Sequence, residues 1–349
     1  MRWVWLLLKI ILVAGLLLAF WKVALPWIAE QAYLSRSRAM PALAAQHLTP
    51  QSVTQLQVLE KWQASDILPG DYRLLDLVWQ TPQQAMLLSA SGDTLLLASF
   101  PPQQKLHTWL ANPSVDTAFW QAHFNRDGRY LAAQYTNQVR VFAAQSGQPV
   151  GPWMPAMEIF SLSPDGRRLA KAGTLGLSED PSRVGIYKTD DGSQTALFKT
   201  SAYYWRDLVY SPDGALLVAL GDGQRPPTAW IGSTPVFTWL NMQGYQLAIS
   251  TDGLVLATGT SIIFLKDRRV VPLQYPPPAQ TPWGVAFSPG GDMLVTQTME
   301  GGLYFWNASD GALLTSRGIP PGQARIAFSP DGAWFTVLID NTIIRWGLP

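Results

Sequence analysis

FSPDG at Phe328–Gly332, YSPDG at Tyr210–Gly214 and LSPDG at Leu162–Gly166 are three copies of one chain reversal, and their recurrence decides the fold. Weaker copies are FNRDG at Phe124–Gly128, ISTDG at Ile249–Gly253 and FSPG at Phe287–Gly290, with Gly291 following. A degenerate copy, LSASG, stands at Leu88–Gly92. The turn glycines are then Gly92, Gly128, Gly166, Gly214, Gly253, Gly291 and Gly332. Their spacing is about 40 residues, the period of a four-stranded propeller blade. Seven copies predict an all-β, seven-bladed β-propeller.

In each copy an apolar residue ends one strand. Pro presets φ, Asp bonds the backbone two residues on, and Gly accepts the positive φ that closes the turn. A second strand follows, as in LLVALG after Gly214 or MLVTQT after Gly291. A third ends in an aromatic: VRVF at Val139–Phe142, VGIY at Val184–Tyr187, LYFW at Leu303–Trp306, IIRW at Ile343–Trp346. Polar turns with Gly, such as DDG at Asp190–Gly192 and SDG at Ser309–Gly311, then lead to an outer strand. Short β-branched and aromatic runs between regular turns are what a radial all-β repeat requires.

EGGLYFWNASDGALL at Glu300–Leu314 and DNTIIRWG at Asp340–Gly347 resemble WD-repeat propeller sequence. The FSPDG turns resemble those of the same family and of the propeller of the periplasmic Tol system. The resemblance covers Tyr72 to Pro349 and implies a fold rather than an activity, because propellers host unrelated functions. It departs from the family in having no Gly-His dipeptide, and Asn307 and Gly347 stand where Asp follows Trp in typical repeats. The buried His–Asp network of the family is therefore not expected, and blade stability is left to packing and turns.

The last repeat stops at its third strand, IIRWGLP, so an N-terminal segment is expected to supply the fourth and leave no free sheet edge. Counting back from Leu88 points to Tyr72–Trp79; Gln55–Trp62 is the alternative. A helix at Pro50–Trp62 with Thr49 as N-cap competes with that alternative.

WVWLLLKIILVAGLLLAFWKVALPWIA at Trp3–Ala29 carries only Lys9 and Lys22 among its apolar residues. About 20 apolar residues cross a bilayer core as a helix, and Trp3, Trp5, Trp21 and Trp27 suit its interfaces. No small-x-small site follows promptly, so an uncleaved transmembrane helix is expected rather than a signal peptide. The absence of Cys rules out a lipidated N-terminal cysteine. The expected organisation is an anchor over 1–29, a juxtamembrane linker over 30–71 and the propeller over 72–349. A short tail ahead of a long domain implies a translocated propeller, periplasmic on the bacterial inner membrane.

With 14% charged residues and net charge +1, the chain offers no basic run for nucleic acid. Asp127, Asp165, Asp213, Asp252 and Asp331 sit in the repeat turns. His47, His107 and His123 are the only histidines, and none pairs at metal-ligand spacing. No nucleophile elbow, P-loop or dinucleotide fingerprint is present. The expectation is a non-catalytic protein with no cofactor and no metal.

Candidate partner-binding residues lie where the innermost strands begin. Four positions before the turn's apolar residue stand Trp120, Glu158, Arg206, Tyr245 and Trp283. Tyr204 and Trp205 precede Arg206, and Trp153 lies in the loop GPWMP. These starts ring the channel mouth on the face opposite the SPDG turns, and rigid aromatics are the usual anchors of protein interfaces. The expected function is a membrane-tethered scaffold that binds other proteins through this face. The alternative is a cell-wall glycan module, with Trp120, Trp205 and Trp283 as stacking platforms and Glu158 as acid. A plainer alternative is that each Trp packs between blades.

Overall fold

Every SPDG turn closes the hairpin between a blade's first and second strands, and the repeated Ser holds it together. The computed structural model describes residues 14, 20–36, 40, 42–68, 71–92, 94–100, 104–110, 119–173, 183–199, 204–221, 228–238, 244–278 and 280–349. In the turn after Tyr210, the Ser211 hydroxyl donates to Asp213 Oδ1 (2.6 Å) and accepts from the Leu216 N–H (2.9 Å). Asp213 also accepts from the Ala215 N–H (3.0 Å), and the Gly214 N–H donates to the Ser211 carbonyl (2.8 Å). Ser163 and Ser250 make the same bonds. These serines are buried, so the side chain replaces water for a ladder N–H that the reversal would orphan. Gly166 (φ +69°) has no room for a Cβ, because the Tyr130 ring of the preceding blade packs onto it.

Seven four-stranded antiparallel sheets result. From the channel outward, the first comprises Arg73–Thr81, Gln84–Ser91, Thr94–Phe100 and Gln104–Leu110, and the second Phe119–Phe124, Tyr130–Tyr135, Gln138–Ala143 and Met154–Pro155. The third contains Ile159–Leu162, Arg168–Gly173, Arg183–Lys188 and Gln194–Lys199; the fourth, Trp205–Tyr210, Leu216–Gly221, Thr228–Ile231 and Thr234–Thr238. Leu247–Ile249, Val255–Thr258, Ser261–Phe264 and Val270–Pro272 form the fifth. Pro282–Phe287, Met293–Thr298, Gly302–Asn307 and Leu313–Gly318 form the sixth. The seventh joins Ala324–Phe328, Trp334–Ile339 and Thr342–Gly347 to Gln57–Gln63. Its inner strand packs against that of the first blade and closes the ring.

Three expectations are corrected. Gly92 lies between the second and third strands of the first blade, not between its first and second; that inner turn is Pro82–Gln83. Tyr72–Trp79 is accordingly not the clasp, since Arg73–Thr81 is the innermost strand of the first blade. The closing strand is Gln57–Gln63, drawn from the 30–71 segment and paired from Gln57↔Gly347 to Gln63↔Thr342. No helix forms over Pro50–Trp62: a single 3-10 turn, Val53–Gln55, precedes the strand. The N-cap of that turn is Ser52, with no side-chain cap, so Thr49 does not cap a helix here; the Thr49 hydroxyl accepts from the Ser52 N–H at 3.2 Å. The free edge of Thr342–Gly347 then draws the following residues into its ladder, a stronger demand than local helical preference.

The blades pack through apolar faces, and hydrogen bonds also cross between neighbours, as from Asn125 to the Pro164 carbonyl and from Arg168 to the Gly214 carbonyl. In the sixth, Trp306 is fully buried and its indole N–H donates to Thr296 Oγ1 (2.8 Å), which also meets the Tyr275 hydroxyl (2.8 Å). Trp79 donates likewise to Thr336 Oγ1 across the ring seam (3.2 Å).

At the N-terminal side, Phe20–Ala24 leads into the helix Leu25–Leu34, which docks on the fourth and fifth blades. Among the described residues no helix is long and apolar enough to cross a membrane. Most of the stretch read as the anchor, including Trp3 and Trp5, lies outside the described residues.

Candidate functional site

The innermost strands enclose a central cup of about 510 Å³. Each runs from the mouth towards the SPDG turns, so the residues at its start line the rim. Three expected site residues meet there. The Arg206 guanidinium of the fourth blade lies over the Tyr245 ring of the fifth at 4.5 Å. That ring stacks on Trp283 of the sixth, with centroids 4.4 Å apart and planes 21° from parallel. All three line the cup and are at least partly exposed. The ladder thus spans three blades and presents a planar cation and two aromatic faces at one rim.

The other expected residues are not part of it. Trp205 is buried among Ala172, Leu208 and Leu217, so for this indole the packing role holds. Trp153 is half-buried beside Tyr135 and Phe142, with Arg140 over its ring at 5.6 Å. Tyr204 is 66% exposed on the mouth side. Glu158 is exposed, and its carbonyl accepts from Gln121 Nε2 at 3.0 Å. Trp120 lies in the inner strand of the second blade, but its side chain is outside the described residues. Most of the insertion around Thr174–Arg183 is outside them too.

Deeper in the cup lies a charged layer that the turn-based reading passed over. Asp76 of the first blade accepts from the Phe124 N–H of the second (2.9 Å), and Asp207 of the fourth accepts from the Leu247 N–H of the fifth (2.6 Å). Each carboxylate also accepts from the next residue of its own strand. The two occupy one repeat position, in DLVW at Asp76–Trp79 and DLVY at Asp207–Tyr210. That four-residue match was the available signal. Arg325 lies 3.9 Å from Asp76 and 3.4 Å from His123 Nε2. His123 Nδ1 is buried, has no hydrogen-bond partner among the described residues, and stands 3.9 Å from Asp76.

Burial sets the protonation of this layer. It pushes Asp76 up, against Arg325 and the N–H groups of Phe124 and Leu77. It pushes Asp207 up to about 6, against the N–H groups of Leu247 and Leu208 and the charge of Arg325. His123 is held well below the usual imidazole value by burial and by Arg325, and so is neutral at pH 7. Among the described residues no group of three His, Cys, Asp or Glu side chains gathers as a metal centre. His47 and His107 each face a backbone carbonyl instead, of Ala44 and Gln145.

The fold and this rim define a seven-bladed propeller with a polar central cup and a cation–aromatic ladder at one mouth. No family model matches the chain, and no curated protein matches it either.

Proposed function

We propose that the protein is a non-catalytic, membrane-tethered interaction scaffold with WD-repeat-like blades, anchored through residues 3–29 and presenting its propeller in the periplasm. The observation that carries this reading is the Arg206–Tyr245–Trp283 ladder. Stacking restrains all three side chains before any partner arrives, so little conformational entropy remains to be lost on contact. Arg, Tyr and Trp are also the residue types that dominate binding energy at protein interfaces. The partner is another protein that covers the mouth opposite the SPDG turns, and the apolar run at Trp3–Ala29 supports the tether.

The test is partner recovery from detergent-solubilised membranes with the parent protein, with Trp283→Ala and with Tyr245→Ala. Loss of one defined partner at an unchanged melting temperature is expected. Retention of all partners by both variants, with folding intact, would remove the mouth as the working surface.

A further inference from the structure

The N-terminal helix is fastened to the propeller without slack. Tyr33 is fully buried, and its hydroxyl donates to the Gly253 carbonyl in the fifth blade's inner turn (2.6 Å). Three residues earlier, the buried Glu30 carboxylate accepts from Arg268 of the same blade's outer turn (2.6 Å). Arg36 lies 3.8 Å from Asp213 in the fourth blade's inner turn. Farther along, the Ala44 and Leu48 N–H groups donate to the carbonyls of Asp331 and Gly332 in the seventh blade's turn (2.9 and 2.8 Å). All these contacts lie on the SPDG face.

Just before them the chain turns apolar outward. Trp21, Val23, Trp27 and Ile28 are 66, 69, 61 and 46% exposed. They continue in sequence from the apolar run that begins at Trp3, which names lipid as what covers them. Helical rise puts Trp27 only about 9 Å along the axis from Tyr33. An indole at position 27 in the bilayer interface therefore holds the SPDG face within about 10 Å of the headgroups.

Resting on the tether proposed above, we infer that the SPDG face lies against the lipid surface and the cup opens away from it. A six-residue strand is about 20 Å long, so the ladder stands at least that far above the headgroups. Its partner approaches from the aqueous phase, as a soluble protein or the extramembrane domain of another membrane protein.

The chain has no Cys, so single labels can be placed in the full-length protein. Asp267→Cys marks the outer turn of the fifth blade on the SPDG face, and Tyr204→Cys marks the mouth side of the neighbouring fourth blade; both native side chains are exposed. Each carries a donor dye, and the protein is reconstituted into vesicles of phosphatidylcholine and phosphatidylglycerol with acceptor dye on the headgroups. Several-fold more energy transfer from position 267 than from position 204 is expected. Equal or reversed transfer in protein that co-floats with the vesicles overturns the orientation alone. Protein that does not co-float overturns the tether and the orientation together.

Discussion

Arg126 in the second blade reaches Thr251 in the fifth: its guanidinium donates to Thr251 Oγ1 at 3.1 Å and approaches the Ile249 carbonyl at 3.5 Å. Blades two and five are nearly opposite in a ring of seven, so this side chain crosses the channel at its SPDG end. The channel is therefore bridged by one side chain at its SPDG end and carries the ladder at its mouth. Burial lowers the Arg126 pKa from its usual value, yet the group retains its charge at neutral pH.

Replacing Arg126 by Ala removes that bridge. Hydrogen bonds to charged groups contribute about 1.5–3 kcal/mol each, and the exposure of Arg126 to solvent reduces that contribution. A fall of about 1–2 kcal/mol in urea unfolding is expected, with faster hydrogen exchange at the Gly253 amide, whose turn Arg126 braces. Unchanged values of both would show the contact to be idle.

The turn motif made most of this fold legible, because Ser-Pro-Asp-Gly both terminates strands and holds its own shape. Where the motif degrades, that legibility is lost. LSASG at Leu88–Gly92 resembles the inner turn in residue type, yet Gly92 turns the neighbouring hairpin and the true inner turn, Pro82–Gln83, contains no glycine. That single shift moved the expected clasp from Gln57–Gln63 to the inner strand of the first blade. At the rim, Arg206, Tyr245 and Trp283 share one repeat position and line the cup. Trp205, one position from Arg206, does not join them, because alternation along the strand sends adjacent side chains to opposite sides. Asp76 and Asp207 are not legible from the turns, because their repeat, DLVW and DLVY, lies within the inner strand.

Ser211→Ala tests the turn's internal bonding. It removes the acceptor of the buried Leu216 N–H and the donor to Asp213. An unsatisfied buried group costs about 1–3 kcal/mol. Ser211→Asn should recover part of the loss, because Asn125 serves at the same position of the second blade and accepts from the Tyr130 N–H at 2.9 Å. Denaturant melts of both variants check this, and equal destabilisation by Ala and Asn would contradict it.

Trp205→Ala should behave unlike the rim variants. Truncating a buried Trp costs about 3–5 kcal/mol, so a large drop in melting temperature is expected. Trp283→Ala, from a partly exposed site, should cost less than half as much. Similar losses from the two would place Trp283 in the core as well.

Removal of residues 1–63 takes away the clasp and exposes the edge of Thr342–Gly347. Aggregation or loss of cooperative unfolding is expected, since an unpaired edge is a template for intermolecular pairing. Removal of residues 1–19 leaves the clasp, Glu30 and Tyr33 in place and should yield a folded propeller. Size-exclusion chromatography with thermal melts separates the two outcomes. A stable monomer lacking residues 1–63 would contradict the closure.

Asp207 should make stability depend on pH in an unusual direction. Its carboxyl rises from 3.8 to about 6 on folding, chiefly through burial. Between those values the folded state binds more protons than the unfolded state, so stability falls as pH rises through the window and levels off above it. A shift of about two units corresponds to roughly 3 kcal/mol. Asp76 is raised by the same cause and adds to the slope. The turn carboxyls of Asp165 and Asp191 are lowered, so their contribution is lost only as pH falls through their folded values, below this window. Asp207→Asn cannot titrate. Unfolding free energies of parent and variant should therefore diverge between pH 4 and 7, the parent losing about 2–3 kcal/mol relative to Asn. A difference independent of pH would show that the N–H groups of Leu208 and Leu247 outweigh burial and keep Asp207 ionised throughout.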